Sequence, residues 1–287
     1  MYSYTTTQIY GSCKPTDTTK LTEVVTNCFN DVAAWMLSNR LQLNANKTEL
    51  MWFTTPRHQH QLPAGAICIG GHDALPVSSA RNLGVYIDSA LSMRRHIDVI
   101  SARCFAVLRQ LRAIRRFTSL SVMQTLVTSL VLSRLDYCNS VLYGLPASSI
   151  SRLQTVQNAA ARLVFNIRRT DHVTDSLICL HWLRVAERIR FKVAVMTYRS
   201  IHGQPPSYLH GFSTYQAGRP GLRSATSSHL SVPRTRLSSI GDRSFPVAGA
   251  MVWNDLPPYV TSAPTLSSFR SRLKTHLFSF SYPGSVN

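Results

Sequence analysis

The sequence has no long apolar run, few acidic residues and no closely spaced cysteine pairs, and each shortage excludes a class of protein. No apolar run approaches the roughly 20 residues that span a bilayer, and the residues after Met1 do not resemble a secretory signal peptide. The six cysteines lie far apart, unlike those of zinc knuckles or redox motifs, and are expected to be reduced thiols. We therefore expect a soluble intracellular protein, in the nucleus or the cytoplasm, with no membrane partner.

Sequence motifs of hydrolases, nucleotide-binding loops and metal sites are also missing. The chain has no Gly-x-Ser-x-Gly elbow and no Walker-type phosphate loop. His58 and His60 lie two positions apart, but no third metal ligand follows at an ordinary spacing. The pair Cys179 and His181 likewise lacks further ligands. The sequence therefore predicts no metal site, no cofactor and no small-molecule substrate.

Arginine is abundant where acidic residues are scarce. Lys and Arg total 31 against 13 Asp and Glu, a net charge of +18, and only five of the basic residues are Lys. The net charge is zero over residues 1–93, +12 over 94–199 and +6 over 200–287. Such an excess indicates a polyanionic partner, nucleic acid or an anionic surface, in contact with the middle segment. A GC-rich gene would give the same arginine excess for no physical reason, and that alternative stays open.

The period of the apolar residues changes near residue 92, and the sequence is predicted to fold as α+β. One helix is expected from about 18 to 39, followed by short strands at 49–54, 66–69 with a Gly70-Gly71 hairpin turn, and 83–88. Beyond Ser92 we expect a basic amphipathic helix ending near 114, then helices at 119–134, 149–165 and 185–202, and a last one after Pro264. The Ser/Arg-rich stretch 211–243 is expected to be a loop or partly disordered linker.

Several short segments occur in the order seen in one polymerase family. They are Thr7-Gln8-Ile9-Tyr10-Gly11, the turn 44–49, Leu83-Gly84-Val85-Tyr86-Ile87-Asp88, Ala160-Ala161-Arg162-Leu163-Val164, the run 188–203, Pro206-Ser207-Tyr208-Leu209, Val252-Trp253-Asn254-Asp255-Leu256-Pro257 and 273–278. Together these segments resemble the reverse transcriptase of non-LTR retrotransposons, the jockey-like LINE group, over nearly the whole chain.

The resemblance implies a C-terminal portion of an RNA-directed DNA polymerase. It divides the chain into a partial palm of one helix and short antiparallel strands (1–92), a helical thumb-like region that binds nucleic acid (93–210), a linker (211–245) and a C-terminal segment with an amphipathic helix (246–287). Endonuclease, fingers and most of the palm are expected to lie upstream.

The residues at the expected catalytic turn indicate that the chain alone is inactive. Polymerases of this family hold two Mg²⁺ ions with converging carboxylates, and the resemblance aligns the paired aspartates of the Tyr-Ala-Asp-Asp turn with Thr5 and Thr6. A neutral hydroxyl cannot replace these ligands. We therefore expect no catalytic residue and no metal in this chain.

Candidate nucleic-acid-binding residues come from the resemblance and from the arginine clusters. Lys47 resembles a palm lysine near the triphosphate, and Gly84 lies in a segment that resembles a turn gripping the primer end. Arginine pairs and clusters on the helices are candidates for contacts to the phosphates of RNA, DNA or an RNA·DNA hybrid, without sequence preference. The clustered arginines are Arg94, Arg95, Arg112, Arg115, Arg116, Arg168 and Arg169.

Simpler interpretations of the same residues stay open. Lys47 also fits a solvated turn, Gly84 an ordinary strand, and the arginines a solvated helix face. Aromatic side chains such as Trp182, Trp253 and Tyr198, with Tyr208 and Tyr215, would stack on bases or, more often, fill a core. For the chain as a whole, the alternatives are a non-functional retrotransposon gene remnant and an incomplete portion of an active RNA-directed DNA polymerase.

Overall fold

The computed structural model describes residues 8–41, 44, 47–69, 72–203, 209 and 229–284. The fold is α+β, as the sequence predicts, with two small antiparallel sheets followed by a helical region. The chain divides into two compact units, Met1–Arg95 and His96–Asn287. We call them the N-terminal unit and the helical unit.

The N-terminal unit begins with the predicted helix. Helix α1 spans Thr18–Ser38, with Asp17 at its N-cap and Asn39 at its C-cap. The whole helix lies in the described part of the chain, and none of its side chains is buried. Val24, Trp35 and Leu37 are 64%, 59% and 71% exposed, so its apolar residues are only partly covered by the rest of the unit.

Two hairpins follow α1. Strand β1 (Ile67–Ile69) pairs with β2 (His72–Ala74), which confirms the predicted hairpin, although Gly70 and Gly71 lie outside the described residues. Strand β3 (Ser79–Asn82) pairs with β4 (Val85–Asp88). The strand predicted to begin at Leu83 begins at Val85 instead. Leu83 and Gly84, with φ of 45° and 89°, form the two-residue turn that joins β3 to β4.

The predicted strand at 49–54 is wrong. Within it only Leu50 pairs, in an isolated bridge to Pro76. Proline has no N–H group to donate, so the ladder is not extended by that residue. The Thr54 N–H donates a long hydrogen bond to the Ser89 carbonyl (3.3 Å). The prediction was based on the β-branched and aromatic residues of this segment, but a strand also needs a neighbouring strand with which to pair.

The helical unit contains the predicted helices and several that the sequence did not indicate. Helix α2 begins at the unit boundary, and α2, α5, α7 and α11 match the predicted positions closely. Helices α6, α8, α9 and α10 were not predicted. The helices are α2 (Arg94–Ile114), α3 (Leu120–Val127), α4 (Ser133–Asp136), α5 (Ala147–Phe165), α6 (Thr174–Cys179), α7 (Val185–Ile201), α8 (Ser238–Gly241), α9 (Phe245–Asn254), α10 (Pro258–Thr261) and α11 (Leu266–Ser281).

The predicted helix at 119–134 contains a π-helical turn, Thr128–Leu132, between α3 and α4. Its buried residues Met123, Val127, Val131 and Leu135 are spaced by four. In an α-helix each such step overshoots one full turn by about 40°. The wider π turn takes up this overshoot and keeps the four side chains on the buried face.

Cys104 of α2 packs against this π turn. Its thiol donates to the Val131 carbonyl at 3.9 Å, and its side chain is fully buried. Burial raises the pKa of the Cys104 thiol to about 11, so the thiol keeps its proton at neutral pH and remains a donor.

The main core of the helical unit lies among α7, α9 and α11. The Phe269 ring stacks on Tyr198 and Trp253, with centroids 4.4 and 5.8 Å away. The Tyr198 hydroxyl donates to the Ala263 carbonyl at 3.1 Å. Trp182 is also buried. These aromatic side chains therefore fill the core and do not stack on bases, while Tyr208 and Tyr215 lie outside the described residues.

The described part of the expected linker, 229–243, packs on this core. Leu230 is 1% exposed and belongs to the core cluster. Its N–H donates to Asn254 Oδ1 at 2.7 Å, and its carbonyl accepts from Asn254 Nδ2 at 3.0 Å. The described residues therefore differ from the expected loose linker, because Leu230 anchors their backbone to the core. Residues 211–228 lie outside the described part.

Candidate nucleic-acid interface

A concave surface lined by arginines lies in the helical unit where α2 and α5 end. The cavity has a volume of about 570 Å³ and is lined by residues from the last turns of the two helices, from the 3₁₀ turn after α2 and from the loop after α5. We call it the arginine cavity. Its lining residues are Arg112, Arg115, Arg116, Arg162, Leu163, Asn166, Ile167, Arg168 and Arg169.

The structure brings five predicted site residues to this one cavity, although two sequence clusters separated by about fifty residues supply them. Arg112, Arg116, Arg168 and Arg169 are exposed, whereas Arg115 is half-buried. The cavity also contains Arg162, which is not among the predicted binding residues. The sequence does contain a pattern that could have identified Arg162. It is a basic residue in the last turn of a predicted helix, and an Asn and an Arg pair follow it.

Arg115 holds the end of α5. Its Nε donates to the Leu163 carbonyl at 3.1 Å and its Nη2 to the Val164 carbonyl at 2.9 Å, while Nη1 donates to the Thr118 carbonyl at 3.2 Å. The last carbonyls of a helix have no partner within the helix, and a cation there also opposes the negative end of the helix dipole. Arg115 is therefore a positioning residue that ties α5 to the end of α2.

The loop after α5 is ordered by its own hydrogen bonds. Asn166 adopts the left-handed conformation that ends many helices, and the Ile167 N–H donates to the Arg162 carbonyl at 3.1 Å. The Asp171 carboxylate accepts from the Arg168 N–H at 2.8 Å, and the Asp171 carbonyl accepts from Arg162 Nη2 at 3.2 Å. The backbone that carries Arg168 and Arg169 is therefore fixed before any ligand arrives.

The cavity is strongly electropositive. No acidic side chain is among its lining residues, all of which the structure describes. The ion pairs found in the described part of the chain use other arginines: Arg152 with Asp98, Arg188 with Asp136, and Arg190 with Asp255. The Asp171 carboxylate in the same loop accepts from the Arg168 main-chain N–H and forms none of these ion pairs. The lining therefore carries an excess of positive charge, and an anionic ligand that screens it binds favourably.

An exposed aromatic ring contacts one of the arginines that line the cavity. Phe117 ends the single 3₁₀ turn Arg115–Phe117 that follows α2. The Arg116 guanidinium lies over its ring, 4.6 Å from the centroid, and 76% of Phe117 remains exposed. This is the highest exposure among the described large apolar residues of the helical unit.

The other predicted binding residues belong to the N-terminal unit. Lys47 is exposed in a turn, where its main-chain N–H donates to the Asn44 carbonyl at 3.0 Å. Gly84 occupies the left-handed position of the β3–β4 turn, which favours glycine. Both residues therefore lie in turns of the N-terminal unit.

Arg94 and Arg95 begin α2 within the N-terminal unit. The Arg95 guanidinium lies 5.5 Å from the centroid of the Tyr86 ring, and Arg81 lies 5.8 Å from the same ring. Arg81 faces Tyr86 across the β3–β4 pair, which explains this grouping. Together these residues form a second, smaller basic patch.

No metal-ligating cluster accompanies either basic surface in the described residues, where no three His, Cys, Asp or Glu side chains come together. Thr5 and Thr6 lie outside the described residues. None of the described helices is both long enough and apolar enough to cross a membrane. In comparisons with known proteins, no family model, no curated protein and no solved structure matches this chain.

Proposed function

We propose that this chain is a C-terminal portion of a non-LTR retrotransposon reverse transcriptase whose helical unit binds RNA, DNA or their hybrid without sequence preference. The arginine cavity carries the proposal. It gathers basic residues from two distant sequence clusters on one concave surface, presents four of them exposed and has no carboxylate in its lining.

The arrangement suits phosphate contacts. Guanidinium groups donate in a planar fork that matches the oxygens of a phosphate, and they retain their charge at all physiological pH values. The four exposed arginines are placed by an ordered loop and a helix end, so binding a strand orders their side chains but costs little backbone entropy. Because base edges are not read by such contacts, binding is expected to depend on phosphate number and not on sequence.

We propose that the chain alone does not polymerise nucleotides. The family resemblance places Thr5 and Thr6 at the aspartate positions, and nucleotidyl transfer needs carboxylates to hold the two Mg²⁺ ions. Primer extension on a homopolymer RNA template with Mg²⁺ or Mn²⁺ should equal the no-enzyme control. Template-dependent incorporation by the purified chain would contradict this part of the proposal.

The salt dependence of binding tests the role of the cavity. Each neutralised phosphate of B-form DNA contributes about −0.9 to the slope of log affinity against log salt. Replacing Arg112, Arg116, Arg168 and Arg169 together with Gln should reduce the magnitude of that slope by up to about 3.6, because each change removes at most one phosphate contact. Fluorescence anisotropy over a series of salt concentrations measures the slope.

A matched control uses the same helix. Arg103 and Arg109 of α2 are exposed but do not line the cavity. Their double Gln variant should change the slope far less than the double Gln variant of Arg168 and Arg169, which removes the same number of charges from the cavity, and far-UV circular dichroism should show equal helix content in both double variants. Equal slope losses from the two sets, or binding that is insensitive to salt, would show that the arginine cavity is not the contact surface.

A further inference from the structure

We infer that the arginine cavity and Phe117 form a binding site for single-stranded nucleic acid, in which Phe117 stacks on a base while the arginines hold the adjoining phosphates. This inference rests on the proposed function and names the kind of strand that the site prefers. It depends on Phe117 and its contact with Arg116, which phosphate neutralisation alone does not require.

Phe117 is joined directly to the cavity through Arg116. Arg116 lines the cavity, and its guanidinium lies over the Phe117 ring, 4.6 Å from the centroid. With 76% of its side chain exposed, the ring keeps a large apolar surface in water immediately beside a cationic surface. A base that stacked on this ring would extend the existing Phe117–Arg116 stack by one layer.

Single strands and duplexes differ in what they offer such a ring. Sites for unpaired strands combine a positive surface that follows the phosphates with aromatic side chains on which bases stack. In a duplex the base faces are already stacked on one another, so the ring gains nothing without unstacking a step. The pairing of Phe117 with the arginine cavity therefore favours a strand whose bases are free.

The helical unit contains a matched control for this role. Phe280 is also exposed (60%), and Arg190 lies over its ring at 5.4 Å from the centroid. Arg190, however, is paired with Asp255, and neither Phe280 nor Arg190 lines the arginine cavity. Phe280 thus has the same ring and the same kind of arginine contact without the unneutralised positive surface.

The test measures the full chain binding to two labelled probes, an oligo(dT) strand of about 15 nucleotides and a blunt DNA duplex of the same length. Phe117→Leu should weaken oligo(dT) binding about fivefold or more, because the free energy of stacking one base on an aromatic ring corresponds to at least that change in affinity. It should leave duplex binding unchanged, because the bases of a duplex are already stacked. The salt slope for oligo(dT) should not change, since leucine removes stacking and no charge. Phe117→Trp should retain the affinity for oligo(dT).

Phe280→Leu should leave the affinity for both probes unchanged. The inference is overturned if Phe117→Leu affects neither probe, weakens both equally, or weakens oligo(dT) no more than Phe280→Leu does. These results would leave the proposed function standing as long as the wild-type chain binds with a salt-dependent affinity that the arginine substitutions reduce. Absence of salt-dependent binding by the wild-type chain would instead overturn the proposed function itself.

Discussion

The two units bury apolar side chains to very different extents. Among the described residues of the N-terminal unit, the buried apolar side chains are Ile67, Val85 and Met93, and α1 has none. The helical unit buries apolar residues along most of its helices and joins α7, α9 and α11 in one core. The N-terminal unit therefore depends more on local hydrogen bonds and turns, whereas burial stabilises the helical unit.

The unit that buries more apolar side chains also carries most of the positive charge. The excess of arginine falls on the well-packed helical unit, which can hold converging guanidinium groups at fixed positions. A weakly packed scaffold would let such groups move apart. A well-packed core thus allows a basic composition to become a defined site.

The largest effect is expected from the core of the helical unit. Phe269→Ala should lower the free energy of unfolding by about 3–5 kcal/mol, because it removes a fully buried ring that stacks on two others. Trp35→Ala, in the exposed part of α1, should change it by no more than about 0.5 kcal/mol. Urea denaturation followed by circular dichroism measures both, and similar losses would contradict the contrast between the units.

A smaller loss is expected from the clamp at the end of α5. Arg115→Gln removes guanidinium donors from three main-chain carbonyls and should cost about 1–3 kcal/mol of stability. Arg112→Gln, at an exposed position on the same cavity, should be close to neutral. Thermal melting at low protein concentration compares them. If both variants melt together, Arg115 does not act as a positioning residue.

The smallest effect concerns pH. Burial lowers the pKa of His96, the first residue of the helical unit, below its ordinary value of 6.5. The unfolded state therefore binds more protons between that lowered pKa and 6.5, and the free energy of unfolding should decrease as pH falls through this window. Burial also lowers the pKa of His276, with Arg190 acting in the same direction, so it adds to the trend.

Chemical denaturation at several pH values between neutral and mildly acidic measures this dependence. His96→Gln should flatten it in part, because the substituted side chain does not titrate, and adding His276→Gln should flatten it further. A wild-type stability that stays constant or rises as the pH falls through 6.5 would contradict the prediction.

The sequence predicted the elements whose signals are local. Helix α11 follows from the spacing of Phe269, Leu273 and Leu277, and α3 is capped by Ser119, whose hydroxyl accepts from the Val122 N–H at 3.3 Å. The position of a turn was harder to predict, since an alternating pattern did not reveal that Leu83 would take a left-handed conformation. The strand expected at 49–54 failed for a related reason, because pairing depends on a distant partner.

The candidate site was predictable by residue type but not by arrangement. Composition and clustering identified Arg112, Arg116, Arg168 and Arg169, because charge excess is a property of the sequence. The division of labour between Arg115 and its neighbours depends on where α5 ends in space. Likewise, the exposure of Phe117 beside the cavity follows from packing, since an aromatic residue after an amphipathic helix has the same sequence signal whether buried or exposed.

The π-helical turn in the helical unit has a consequence for comparing this chain with relatives. The turn accommodates one more residue than an α-helical turn would, so a relative without it should align with a single-residue gap near 128–132. Deleting one residue there would let the turn close into an ordinary α-helical turn, so the helix on either side should keep its buried face, with Leu135 still on it. The same deletion in the middle of a regular helix such as α5 would instead rotate everything that follows by about 100° about the helix axis and should be far more harmful.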